Sequence, residues 1–226
     1  MEEQRIYHTH ETLTFEEAMN RLNVVDVNER SGVLFALASS HPDDPRVAAV
    51  CLRETDSTEP ENRRSAALCL GTIARLSERC GHPEFVPKLE AMLEDSAAAV
   101  RGEAAVSLGD LGCFGTAKPY SHGEAQARMN SGDTALQTIA LFHISRYDDD
   151  QEFLITWIKR LAAHPSPALR GAVMEAISKP LENCTQGVHD ELVAILESAT
   201  QDKHWYVRDM ANSAIEFLKF KERDGD

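Results

Sequence analysis

The residues that could support catalysis or metal binding in this 226-residue chain are few and widely spaced. His8 and His10 are one residue apart, but two imidazoles need a third ligand to hold a metal ion, and the sequence offers none with a recognisable spacing. Ser107 and Asp110 are three positions apart, and polar pairs at that spacing are common on helix surfaces. We therefore predict no catalytic residue, no metal site and no cofactor.

Two further features of the sequence, an aspartate run and the cysteines, could form a binding or reactive site. Asp148, Asp149 and Asp150 could attract a cation or a basic tail, but they lack the alternating spacing and the turn glycine of a calcium loop. A solvated turn is the favoured interpretation. The cysteines are odd in number and contain no CxxC pair, so they are predicted to be reduced and mostly buried: Cys51, Cys69, Cys80, Cys113 and Cys184.

The charge of the chain restricts its partners. The formal net charge is −14, with a pI of about 5.1, so the surface should repel nucleic acid and attract a basic protein. The longest apolar run, residues 33–38, is too short to cross a bilayer. The polar segment from Met1 to Arg5 does not resemble a secretory signal. We therefore expect a cytoplasmic protein that binds neither membrane nor nucleic acid.

The chain contains an internal repeat. Residues 62–71 and residues 100–109 share an arginine, an Ala-Ala pair, an apolar residue and a glycine in register. The same pattern returns around positions 30, 137, 170 and 208, so the anchors are 33 to 38 residues apart. Around each anchor the apolar residues recur at i, i+3, i+4 and i+7, the spacing of one helix face. A second helical pattern precedes each anchor, and the sequence thus predicts an all-α array of about six helix pairs.

This pattern resembles a known repeat. The strings at residues 95–109 and 164–170 resemble the signature of HEAT or phycobilin-lyase-type repeats. The resemblance implies a right-handed α-solenoid of about six HEAT-like pairs over residues 1–226, a single domain, for which a monomer is favoured. HEAT repeats mostly serve as binding scaffolds, so the resemblance indicates function only weakly.

The resemblance also places a groove. In HEAT-like solenoids the second helix of each pair, helix B, lines the concave face, and we expect positions 2, 5, 6 and 9 after each anchor to face it. An apolar stripe there would mark a protein-binding site. The alternative is a register error of one residue, which would place the same side chains between repeats. The candidate residues are Phe35, Leu68, Glu103, Val106, Asp110, Phe142, His143, Arg146 and Glu175.

One segment, residues 113–123, interrupts the repeat with glycine and proline. We expect a loop or a broken helix there, with helix only from Glu124 to Met129. A degenerate repeat is the favoured explanation, and an insertion that reaches a partner is the alternative. In the second case Lys118, Tyr120 and His122 would contact the partner.

Two enzyme classes with similar repeats are disfavoured. The HEAT-like deoxyhypusine hydroxylases bind iron through His-Glu pairs, but the corresponding positions here contain no histidine: Ser65-Ala66, Gly102-Glu103 and Ala172-Val173. The HEAT-like alkylpurine DNA glycosylases need a basic groove, which a net charge of −14 opposes.

We predict a non-enzymatic protein-interaction module, an acidic HEAT-repeat scaffold that binds a basic protein. One form would be an immunity or inhibitor protein that neutralises a toxin. The alternatives are an adaptor or scaffold subunit of a larger complex, and a bilin-lyase-like or chaperone-type activity on a bound protein.

Overall fold

The helical repeat predicted from the sequence is present in the computed structural model, which describes residues 13–24, 26–78, 82–113, 121–147, 150–181 and 184–224. All regular structure in these ranges is helical, so the predicted all-α class is confirmed. The helix pairs are α1 (Phe15–Leu22) with α2 (Val27–Ser40), α3 (Pro45–Glu54) with α4 (Pro60–Leu76), α5 (Val86–Met92) with α6 (Ala98–Cys113), α7 (His122–Asn130) with α8 (Thr134–Tyr147), α9 (Gln151–Leu161) with α10 (Pro167–Ala176), and α12 (Gln186–Ala199) with α13 (Trp205–Asp224). A 3-10 turn, Pro83–Phe85, precedes α5, and a short helix, α11 (Ser178–Leu181), follows α10.

The pairs form two compact units, residues 1–117 and 118–226. In the first unit the B helix α4 packs against both α2 and α6. In the second unit α10 packs against both α8 and α13. Each anchor predicted from the repeat lies in the B helix of its pair, so stacked B helices form the interior of each unit.

Small residues allow neighbouring B helices to approach closely. In the first unit the hydroxyls of Ser31 and Ser65 are 2.6 Å apart, and Ser107 donates to the carbonyl oxygen of Ala67 at 2.8 Å. A Cβ atom at Gly71 would lie 2.8 Å from the Ser107 hydroxyl, so only glycine fits without a shift. The sixth position after each anchor is therefore core rather than groove: Ala36, Cys69, Ser107, His143, Ala176 and Ala214 are all buried.

The anchor arginines connect successive repeats. Arg63 donates through Nε and Nη2 to Asp95 of the next turn, at 2.7 and 2.9 Å, and through Nη1 to the carbonyl oxygens of Ser57 and Thr58 in its own turn. Arg170 makes the same contacts with Asp202 in the second unit. Each guanidinium group donates to one carboxylate and two carbonyl oxygens at once. These hydrogen bonds therefore hold neighbouring repeats together.

The irregular segment is partly helical. Ser121 accepts from the backbone of Glu124, and the Glu124 carboxylate accepts from the backbone of Ser121, which completes a capping box. Helix α7 therefore begins at His122, and the predicted loop is wrong at His122 and Gly123. Lys118 and Tyr120 lie outside the described residues.

No helix within the described ranges is both long and apolar enough to cross a membrane.

Candidate partner-binding site

One face of the first unit combines charged and exposed apolar side chains on the adjacent B helices α4 and α6. Arg64 Nε lies 3.3 Å from Glu103 Oε2, and Arg75 Nε lies 3.6 Å from Asp110 Oδ2. Each arginine side chain is about two-fifths exposed, whereas each carboxylate side chain is 14% exposed. Two carboxylates seven residues apart on one helix are separated by about 10 Å along its axis. We call this surface the α4–α6 face.

Apolar side chains lie between these charged pairs. Val106 lies between Glu103 and Asp110 along α6 and is 60% exposed. Leu68 lies between Arg64 and Arg75 along α4 and is half-buried. The i, i+3, i+4 and i+7 spacing places each group on one side of its helix. The α4–α6 face thus contains an apolar centre with an ion pair towards each end.

The two carboxylates of this face are costly to keep charged. Burial raises the pKa of Glu103, and the nearby Arg64 offsets the rise only in part. Burial likewise raises the pKa of Asp110 against the opposing effect of Arg75. A carboxylate whose pKa is higher in the folded chain than in the unfolded chain reduces the free energy of unfolding at neutral pH. Both groups therefore carry a charge that the fold alone does not favour.

The acids that link the repeats behave in the opposite way. The hydrogen bonds from Arg63 lower the pKa of Asp95 against the effect of burial. Burial raises the pKa of Asp202, but the hydrogen bonds from Arg170 and from the backbone of His204 outweigh it, and the pKa is lowered. These acids stabilise the fold in their charged form, which distinguishes structural carboxylates from Glu103 and Asp110.

The remaining groove candidates do not form a comparable face. Phe35 is half-buried on α2. In the second unit Phe142 is fully buried and His143 is 2% exposed, so the prediction that they line a groove is wrong. Both belong to the contact surface around α8, where Phe142 joins the hydrophobic core of that unit. Arg146 Nη2 and Glu175 Oε1 form an ion pair at 2.6 Å between α8 and α10.

Sequence reasoning missed the arginines of the α4–α6 face. Arg64 precedes Glu103 by 39 residues, close to one repeat length, so the repeat register itself could have paired them. Among the described residues, no group of three or more His, Cys, Asp or Glu side chains could hold a metal ion.

The sequence of this region identifies the repeat type. Residues 60–111, which extend from the start of α4 into α6, match the family model of the HEAT-like repeat. The match covers α4, α5 and most of α6, so these helices of the first unit have the HEAT-like repeat type. The α4–α6 face therefore lies on the segment with the clearest repeat signature.

Several solved structures are similar to the chain at low identity. The complex of CpcE and CpcF of phycocyanin lyase from Nostoc sp. PCC7120 is 18% identical with a TM-score of 0.41, over 94% of this chain and 91% of that chain. A designed armadillo repeat protein in complex with the peptide (KR)4 is 15% identical with a TM-score of 0.38, over 88% and 97%. A mutant of Kap121p is 18% identical with a TM-score of 0.46, over 88% of this chain and 22% of that chain.

No curated protein matches the chain in sequence. The similarities to solved structures do not bear on the α4–α6 face or on its ligand.

Proposed function

We propose that this protein is a non-enzymatic protein-interaction module whose α4–α6 face binds a basic segment of a partner protein. The observation that supports this most is the pair of largely buried carboxylates, Glu103 and Asp110, whose charge opposes the stability of the fold. Carboxylates whose charged form destabilises the fold are candidates for binding a ligand. A lysine or arginine of the partner would neutralise them.

The geometry suggests how cations of the partner would replace Arg64 and Arg75 as the ion-pair partners of Glu103 and Asp110. Arg64 and Arg75 are long, partly exposed side chains that can move aside at a small cost, because exposed ion pairs contribute little stability. The partner's cations would take their places on Glu103 and Asp110. Val106 would then be covered by an apolar side chain of the partner, since it is the exposed apolar residue between the two charges.

The net charge of −14 supports a basic partner, because charge complementarity speeds diffusional encounter. One particular form of this function is an immunity or inhibitor protein against a basic toxin, and an adaptor subunit is another. A bilin-lyase-like or chaperone-type activity on a bound protein is the alternative from a different class. A chromophore that copurifies with the native protein would favour that alternative.

Val106→Asn is the direct test of the proposed face. It places a neutral polar amide of similar size where an apolar contact is expected and adds no charge that would attract a basic partner, so we expect the dissociation constant for the partner to rise at least tenfold, or about 1.4 kcal/mol. The partner is first captured from the native source with the wild-type protein, then purified for calorimetric titration.

Val24→Asn is the matched control, because Val24 is 82% exposed in the same unit and lies outside the α4–α6 face. We expect it to change the dissociation constant less than about twofold, or about 0.4 kcal/mol. Equal losses in the two variants, or no loss in Val106→Asn, would remove the α4–α6 face from the proposal.

A further inference from the structure

The second unit has a cleft between α7 and α9, each of which is the first helix of its pair. None of the residues that line this cleft lies on a B helix. The α7 wall contributes two exposed amides, Gln126 and Asn130, one helical turn apart. The α9 wall contributes Phe153, Trp157 and Arg160. The ring centroids of Phe153 and Trp157 are 6.4 Å apart in an edge-on arrangement, and the guanidinium of Arg160 lies 4.6 Å from the centroid of Trp157. The α7 wall is therefore lined by amides, and the α9 wall combines the half-buried ring of Phe153 with the exposed side chains of Thr156 and Arg160.

The charges of the cleft are separated along α9. Asp150, which caps the helix, and Glu152 lie at its first turn, and Arg160 lies in its last turn. Ten residues at about 1.5 Å each separate Asp150 from Arg160 by about 15 Å along the axis. The cleft thus has a negative end, an aromatic and amide middle, and a positive end.

We propose that the α7–α9 cleft binds an extended peptide segment of a partner protein, with a basic side chain at Asp150 and Glu152 and an acidic side chain at Arg160. A side-chain amide offers both a donor and an acceptor, which are the groups that an extended peptide backbone presents. About 15 Å corresponds to four or five extended residues at about 3.3 Å each. The charge pattern therefore fits a basic and an acidic residue about four positions apart.

The apolar middle of the cleft supports the same ligand. Phe153 is half-buried and Trp157 is 4% exposed, so Phe153 provides most of the accessible apolar surface while Trp157 and Arg160 support it. A side chain in the middle of the peptide would pack there. A neutral sugar could hydrogen-bond to the amides, the carboxylates and the guanidinium, but it would not use the opposite charges of the two ends, which the comparison of charged and neutral peptides tests. A nucleic acid backbone would be repelled by Asp150 and Glu152.

Fluorescence of Trp157 tests this inference in the full-length protein. Trp157 and Trp205 are the two tryptophans of the chain, so a Trp205→Phe background leaves Trp157 as the reporter. The probe is acetyl-Lys-Ala-Leu-Ala-Glu-amide, and its neutral counterpart is acetyl-Gln-Ala-Leu-Ala-Gln-amide. We expect a saturable change with the charged peptide and at least tenfold weaker binding of the neutral one.

Two sets of variants assign the binding to the cleft. Gln126→Ala with Asn130→Ala, and separately Arg160→Gln, alter exposed side chains and should each weaken binding of the charged peptide at least tenfold. Gln186→Ala, an exposed glutamine on α12, should leave it unchanged. The inference is overturned if no saturable change occurs, if the neutral peptide binds equally well, or if both sets of cleft variants bind like the parent. None of these results depends on the α4–α6 face, so the two proposals fail separately.

Discussion

Gly171→Ala is expected to destabilise the second unit by about 3 kcal/mol, at the upper end of the usual cost of overpacking. Gly171 lies in α10, and a Cβ atom there would be 2.3 Å from Cε1 of Tyr206, with Cζ and Cδ1 of the same ring at 2.9 and 3.0 Å. Tyr206 is 1% exposed, so its ring has no open space to enter. Denaturant unfolding followed by circular dichroism measures the loss.

Gly187→Ala provides the control for the change in helix propensity. Gly187 lies in α12, and nothing lies within 4 Å of a Cβ atom placed there, so this variant should be unchanged or more stable by up to about 1 kcal/mol. In a Tyr206→Leu background the cost of Gly171→Ala should fall, because the clashing ring is absent. If Gly171→Ala unfolds at the same denaturant concentration as the wild type, the close packing of α10 on α13 is incorrect.

Arg170→Met should cost about 3–5 kcal/mol, the range for removing one partner of a buried ion pair. The Arg170 side chain is 5% exposed and its fork reaches both oxygens of Asp202 at 2.8 Å, while Nη1 donates to the carbonyl oxygens of His164 and Pro165. The substitution removes the arginine donors from all of these acceptors, and Asp202 retains only the hydrogen bond from the backbone of His204 among those described. Arg208→Met, which removes two corresponding carbonyl bonds at Asp202 and Lys203, should cost about 1–2 kcal/mol.

The cost of Arg170→Met should also depend on pH. The pKa of Asp202 is lowered in the folded chain, so its contribution to stability is present above the unfolded pKa of about 4 and is lost as the pH falls through the folded value. The difference in unfolding free energy between wild type and Arg170→Met should therefore be largest near pH 7 and narrow below about pH 4. A difference that stays constant with pH would show that the lost interaction is packing rather than charge.

The repeat made the fold predictable, but it left part of the site unresolved. The anchors fixed which helix of each pair carries the core, because an apolar stripe at helical spacing must face the neighbouring helices. The repeat does not determine whether the fifth position after the anchor is buried or exposed. It is exposed at Val106 on α6 and buried at Phe142 on α8, because its environment depends on what packs over the helix rather than on the repeat.

Two sequence signals contain more structural information than the repeat alone predicts. The Ser121-x-x-Glu124 pattern is a capping box that marks the start of α7 two residues before the predicted position. The anchor arginines appeared as part of the repeat signature, and their partner carboxylates lie about one repeat further along the chain, as in Arg63 with Asp95. The raised pKa values of Glu103 and Asp110 could not be read from the sequence, because they arise from burial between helices.

The central claim is that Glu103 and Asp110 serve a partner rather than the fold, and the double variant Glu103→Gln, Asp110→Asn tests it most directly. Its free energy of unfolding at pH 7 and its dissociation constant for the captured partner are measured on the same preparation. We predict unfolding stability equal to or above that of the wild type, because two disfavoured charges are removed, and a dissociation constant raised at least tenfold. Unchanged partner binding, or a loss of stability large enough to explain the loss of binding, would contradict the claim.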